Sequence, residues 1–212
     1  MIAPTSPLRL LVADDHPVVR AGIVGLVDAE DDMTVVAQAG DGRGAVEAWL
    51  AHRPDVVLMD LHMPDLDGIA AIAHIRAHSA AARILVLTTY GGDARAARAL
   101  EAGAQGYLLK TMIRTDMLRA IRTVHAGRQF VPEDLAASMK AHADRQTLST
   151  REIEVLRAVA HNGRNKIAAA EMGLSEGTVK VHMKNILAKL HANDRVQALT
   201  IALRRGILTL DP

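Results

Sequence analysis

Four apolar runs in this chain stop at residues able to do chemistry. Leu8 to Ala13 ends at the acid pair Asp14-Asp15, and Asp55-Val-Val-Leu-Met59 ends at Asp60. Ile84 to Leu87 ends at Thr88-Thr89, and a fourth run ends at Lys110. Carboxylates gathered at one place repel each other and take up protons unless a cation is present. With a divalent metal, such a set suits phosphoryl transfer. An aspartate attacks phosphorus and becomes an acyl phosphate. Asp14 and Asp15 beside Asp60 could hold Mg2+, an oxygen-seeking cation that bridges carboxylate and phosphoryl oxygens. Lys110 would neutralise a second phosphoryl oxygen as a point charge, and Thr88 would hydrogen-bond a third. Each residue alone has a plainer reading. Asp14 or Asp15 could cap the helix opening at His16-Pro17, a strand-end lysine is usually solvated, and a threonine often satisfies local backbone. His16 and His62 flank the set; the chain has no cysteine and neither of the two has a histidine four residues away, so they read as surface polar residues rather than a zinc site.

These residues meet only if the runs are neighbouring strands. Strands are expected near 8–13, 34–38, 55–60, 83–88 and 105–109, and helices near 16–29, 42–52, 66–78, 92–102 and 114–126. That alternation predicts a doubly wound, five-stranded parallel sheet with helices on both faces. Runs 55–60 and 83–88 are almost continuously apolar, as strands buried on both sides should be. In such a sheet the strand ends share one rim, where ligands bind.

Asp14-Asp15, the run VVLMDLHMPDLDG, Thr88 and the segment Ala102 to Lys110 resemble the receiver domain of bacterial two-component response regulators, a flavodoxin-like α/β fold, over about residues 8–127. The resemblance implies that a sensor histidine kinase donates its phosphoryl group to Asp60. It also implies that Asp15, Asp60 and the backbone carbonyl of His62 bind Mg2+, with Asp14 acting mainly through water. Thr88 and Tyr107 look like a switch pair, the hydroxyl moving toward the phosphate and the ring turning inward behind it. One departure is Thr111, where many receivers have a proline after the motif lysine, often with a cis bond.

The net charge of +1 conceals an asymmetry. Residues 1–144 hold 14 Lys/Arg against 18 Asp/Glu, whereas residues 145–212 hold 11 against 6. An acidic front joined to a basic tail suggests two domains, the second with a polyanionic partner. Residues 128–147 read as a linker, with a possible short helix near Pro132. Beyond them the pattern is helical only. Ser149 and Glu152 form a capping box that opens a helix to about His161. A short Ala-rich helix follows near 165–172, then the turn Gly173-Leu174-Ser175 and a longer helix to about Leu190. Asp194 and Gln197 suggest another capping box and a last helix stopping at Gly206. On the longer helix Val179, Met183, Ile186, Leu187 and Leu190 make one buried stripe. Lys180 lies on its flank, and Val181 and Lys184 face away. A short helix, a glycine turn and a longer helix form a helix-turn-helix arrangement. The plainer reading is an ordinary solvated lysine face.

Leu148-Ser-Thr-Arg-Glu152 and LSEGTVKVHMKNILAKL resemble the LuxR-type helix-turn-helix of NarL/FixJ response regulators, here over residues 148–210. By that resemblance Lys180, Val181 and Lys184 face bases of double-stranded DNA, and Thr178 touches a backbone phosphate. Val196, Leu199 and Leu203 on the last helix are the usual dimer contact, which implies a homodimer when phosphorylated. Ile167-Ala168 departs from the family's polar residue followed by isoleucine, so the short helix is expected to pack slightly differently.

Half the chain is apolar, no stretch approaches the ~20 residues of a membrane helix, and cysteine is absent, which excludes disulfides and agrees with a reducing cytoplasm. No signal peptide is expected, because a basic start followed by a long apolar core is missing. Two other classes compete. An aspartate-nucleophile phosphatase commonly needs a second acid two residues after the nucleophile, and His62 stands there. A dinucleotide binder would need G-x-G-x-x-G after the first strand, which is absent. The chain is therefore read as a phosphate-switched, DNA-binding transcriptional regulator and not as a turnover enzyme.

Overall fold

The structure, a computed structural model, describes residues 6–89, 92–142 and 148–208. Its strands are β1 (Leu8–Ala13), β2 (Met33–Ala39), β3 (Val56–Asp60), β4 (Ile84–Thr88) and β5 (Gly106–Leu109). Between and after them lie α1 (Pro17–Val27), α2 (Gly42–His52), α3 (Gly68–His78), α4 (Asp93–Glu101) and α5 (Ile113–His125). The strands pair in parallel in the order β2-β1-β3-β4-β5, the expected doubly wound sheet.

Every residue of β3 and β4 is buried, because helices cover both faces. Side chains alternate between those faces along each strand. Leu10, Val12, Val56, Leu58, Leu85, Leu87 and Leu108 pack with Ile23 and Val27 of α1 and with Met117, Ile121 and Val124 of α5. Leu11, Val57, Met59, Val86 and Tyr107, at the intervening positions, are also fully buried.

The strands fall within a residue or so of expectation. Two features were not expected. A 3-10 turn over Lys110–Met112 joins β5 to α5, and the start of the expected linker pairs with the sheet. Phe130 makes a parallel bridge to Gly106. Its carbonyl accepts from Tyr107 N–H at 2.8 Å, and its own N–H donates to Gln105 O at 3.0 Å. The short helix expected near Pro132 follows as α6 (Glu133–His142). The rest of the expected linker, 143–147, and residues 209–210 of the expected second domain lie outside the described residues.

The chain divides into two compact units, residues 1–90 with 96–134 and residues 91–95 with 135–212. The second contains α7 (Thr150–Asn162), α8 (Asn165–Glu171), α9 (Glu176–Leu190) and α10 (Arg195–Arg204). Its core joins Val155, Leu156 and Val159 of α7, Ala168 and Ala169 of α8, Val179, Met183, Ile186 and Leu190 of α9, and Ala198 and Ala202 of α10. Gly173, at φ +64°, turns the chain between α8 and α9, a left-handed conformation that glycine adopts without steric cost. The Ser149–Glu152 capping box forms in both directions. At α10, Asp194 accepts from Gln197 N–H as expected, but Gln197 Oε1 accepts from Asn193 N–H, one residue earlier than a capping box requires.

Candidate functional site

Strand pairing brings the acidic rim together. Ala13 pairs with Met59, Asp60 with Leu87, and Thr88 with Leu109, so residues that close four different runs become neighbours. Lys110 Nζ lies 2.7 Å from Asp60 Oδ2 and 2.7 Å from Asp14 Oδ2. Asp14 and Asp60 are each only 1% exposed.

Asp14 is held by hydrogen bonds at three of its atoms. Its N–H donates to Ala39 O at 3.1 Å, its carbonyl accepts from Arg20 Nη1 at 2.5 Å, and its Oδ1 accepts from His16 N–H at 2.9 Å. Neither acid caps α1: His16 is the N-cap, makes no side-chain cap, and Pro17 opens the helix. Asp60 Oδ1 accepts from His62 N–H at 3.2 Å.

Gly68, read in sequence only as part of a turn, is required here by close approach. A Cβ on it would stand 2.0 Å from the Asp60 carbonyl oxygen. Asp67 caps α3 by accepting from Ala70 N–H at 2.8 Å, which fixes the turn behind Asp60.

The electrostatics favour an added cation. Burial pushes the Asp60 carboxyl above its usual range; the Lys110 ammonium lowers it without cancelling that rise, and Asp14 adds to it. Burial alone would lower the Lys110 ammonium, but the Asp14 and Asp60 carboxylates outweigh it and raise it. One ammonium thus serves two buried carboxylates, and desolvating each ion costs several kcal/mol. Asp14 Oδ2 and Asp15 Oδ1 are buried oxygens without a hydrogen-bond partner among the described residues, although Lys110 Nζ lies 2.7 Å from the first and His16 Nδ1 2.5 Å from the second. Ligand atoms of Asp14, Asp15, His16 and Asp60 all lie within 4.8 Å of one another. Oxygen donors in this number fit a hard divalent cation. His16, expected to be merely superficial, is exposed, yet its Nδ1 sits 2.5 Å from Asp15 Oδ1. His62 is half-buried.

Thr88 and Tyr107 are both fully buried. Tyr107 pairs with Val86, two residues before Thr88, so alternation places both on one sheet face. The described residues contain no cis peptide bond, the Lys110–Thr111 link included.

The second unit carries a contrasting surface. Val179, Met183, Ile186 and Leu190 of α9 are buried and Leu187 half-buried, as the stripe requires. Thr178, Lys180, Val181 and Lys184 are exposed, Val181 to 59%. Ser175 caps α9 through Thr178 N–H at 3.0 Å. Lys180 pairs with Glu176 at 2.8 Å. Glu152 of the capping box also pairs with Lys189 of α9 at 2.7 Å, a link that local sequence does not reveal. Burial raises the Glu152 carboxyl, but Lys189 and Ser149 more than offset this and hold it below its usual range. On α8, Ala168 enters the core while Ile167 remains 48% exposed. On α10, Val196 is 67% exposed and Leu199 and Leu203 are half-buried against the core.

Comparison with known proteins agrees with both halves. Residues 10–122 match the response regulator receiver domain, and residues 146–202 match the bacterial regulatory proteins of the luxR family. The chain is 35% identical to the transcriptional regulatory protein LnrK of Bacillus subtilis, over 94% of this chain and 98% of that one. It is 35% identical to the nitrate/nitrite response regulator protein NarL of Escherichia coli, over 91% and 93%. Among solved structures, RcsB of Salmonella enterica serovar Typhimurium, bound to a promoter in the presence of phosphomimetic BeF3-, has a TM-score of 0.70 at 27% identity, covering 94% of this chain and 99% of that one. With a receiver fold ahead of a LuxR-type helix-turn-helix, this chain belongs to the NarL-type two-component response regulators and is a DNA-binding transcriptional regulator.

Proposed function

We propose that a sensor histidine kinase phosphorylates Asp60 and that this phosphorylation sets the affinity of the second unit for DNA. The observation that carries the reading is Lys110 Nζ at 2.7 Å from both Asp14 and Asp60 within a buried acidic cluster. An oxygen of Asp60 forms a bond to phosphorus while the bond from phosphorus to the kinase imidazole nitrogen breaks, leaving an acyl phosphate and a free imidazole. Lys110 takes one phosphoryl oxygen, and Thr88 donates to another. Asp14, Asp15, Asp60 and the His62 carbonyl would hold Mg2+, which when bound offsets the negative charge of carboxylates and phosphoryl group. Positioning and charge balance are what phosphoryl transfer needs from a protein.

The hydroxyl of Thr88 then follows the phosphoryl group, and the ring of Tyr107 moves with it, shifting the receiver between two packings. The proposed division is a receiver over 8–127, a linker over 128–147 and a helix-turn-helix domain over 148–210. In the last, Lys180, Val181 and Lys184 meet base edges and Thr178 a phosphate. A second copy packs on Val196, Leu199 and Leu203, since an exposed valine gains nothing in water. The two copies read related half-sites. The described residues include no helix long and apolar enough to cross a membrane, and the cytoplasm is the proposed location.

The test is DNA affinity before and after treatment with a competent kinase and ATP. Affinity should rise for the wild-type chain and stay unchanged for Asp60→Asn. Equal rises in both would refute the switch.

A further inference from the structure

Helix α9 presents more to solvent than its lysines. Measured around the helix at 3.6 residues per turn, Asn185 lies about 40° from Val181, Lys184 about 60° to the other side, and Lys180 about 100° away. The buried stripe of Val179, Met183, Ile186 and Leu190 occupies the opposite side. Val181 therefore marks the middle of the exposed face, and Asn185 stands closer to that middle than either lysine.

Three further observations bear on what Asn185 does. It is exposed, and among the described residues neither it nor Lys184 is tied to a partner, whereas Lys180 is engaged by Glu176 at 2.8 Å. Its neighbours on the same face, Gly177 and Ala188, are also exposed; having little or no side chain, they leave room for a close approach of the helix to a groove. Asparagine is also the one amide on that face. An amide combines a donor and an acceptor, the complement of adenine N6 and N7 in the major groove, whereas a lysine donates only. Asn185 lies about 6 Å along the helix from Val181, about two base steps of 3.4 Å.

We propose that Asn185 is a specificity-determining residue that reads an adenine in each half-site, within about two base pairs of the base contacted by Val181. This rests on α9 being the helix that enters the major groove.

The experiment uses the full-length, phosphorylated chain and a pool of DNA duplexes with a randomised core, sequenced after selection. Wild type, Asn185→Ala, Asn185→Gln and Lys184→Ala are compared, with circular dichroism to verify that each is folded. Wild type should enrich a motif with adenine at a fixed place. Asn185→Ala should keep the rest of the motif and lose discrimination at that one place by about tenfold. Asn185→Gln, which retains the amide, should recover part of it. An unchanged base profile in Asn185→Ala, where Lys184→Ala weakens the selected motif, overturns the Asn185 assignment alone. Lost preference at a base other than adenine overturns the adenine assignment. If wild type enriches no motif, the recognition-helix reading fails and this assignment with it.

Discussion

Asp60 is 1% exposed and Val181 is 59% exposed, and each unit places its candidate functional groups under the condition that the proposed chemistry needs. In the acidic rim, carboxylates and an ammonium are withdrawn from water, so their charges act strongly on one another and the site is fitted before any ligand arrives. On α9 the charges stay in water, where a single ion pair is worth about 0–1 kcal/mol. Only a polyanion laid along the helix would use them together. On the proposed reading the rim responds to one added charged group at one atom. The helix face responds to a surface, in a way that depends on salt. The two units also differ in what fixes their geometry. Contacts between residues far apart in the chain set the rim, while helical periodicity sets the α9 face.

Substitutions should separate the two regimes. The largest effect on stability is expected from Lys110→Ala, which leaves Asp14 and Asp60 facing each other without their shared cation. Breaking a buried pair this way costs about 3–5 kcal/mol. Urea unfolding at neutral pH should show that loss, and it should shrink as the pH falls and the carboxylates take up protons. A loss below ~1 kcal/mol, as for a solvated pair, would mean that Lys110 is not the balancing charge.

Lys184→Ala should leave unfolding unchanged and weaken DNA binding by ~1–3 kcal/mol if the ammonium meets a base. Titrations at several salt concentrations tell a base contact from a phosphate contact. A phosphate contact would weaken binding evenly across sequences and reduce the salt slope by about one. Unchanged binding would place Lys184 outside the interface.

The smallest effect carries the opposite sign. The Asp60 carboxyl lies above its usual value in the folded chain because burial and Asp14 disfavour its charge. The folded state then holds that proton more tightly than the unfolded state. Stability contributed by Asp60 is lost as the pH rises from its unfolded value of 3.8 through its folded value. Asp60→Asn removes this loss. Without added metal its melting temperature should exceed that of wild type, by a margin that grows with pH across the acid range and then levels off. A lower melting temperature at neutral pH would show that Asp60 contributes favourably through Lys110.

Much of the rim was legible because its candidate residues close or directly follow four of the strands. Asp14, Asp60, Thr88 and Lys110 needed only the assumption of parallel strands to become neighbours. What sequence did not reveal are links that depend on where a long side chain or a loop comes to rest. The Arg20 guanidinium on the Asp14 carbonyl, the position of Lys110 between two carboxylates and the Glu152–Lys189 pair at a separation of 37 residues leave no local pattern. Gly68 had a signal, the Asp-Gly pair after Leu66, but it reads as a turn until the Asp60 carbonyl is seen against its Cα. On α9 the stripe and the exposed face followed from periodicity alone. An exposed asparagine on a helix carries no signal in local sequence, so the proposed role of Asn185 emerges only from its place on that face.

The central claim is that one carboxylate, Asp60, accepts phosphorus. Its most direct test is to treat the chain with a small-molecule phosphodonor and MgCl2, trap the acyl phosphate by borohydride reduction, and map the modified residue by mass spectrometry of peptides. The account predicts modification at Asp60 alone, dependent on the divalent cation and weakened by Lys110→Ala. Modification at Asp14, Asp15 or another residue, with Asp60 untouched, would contradict it.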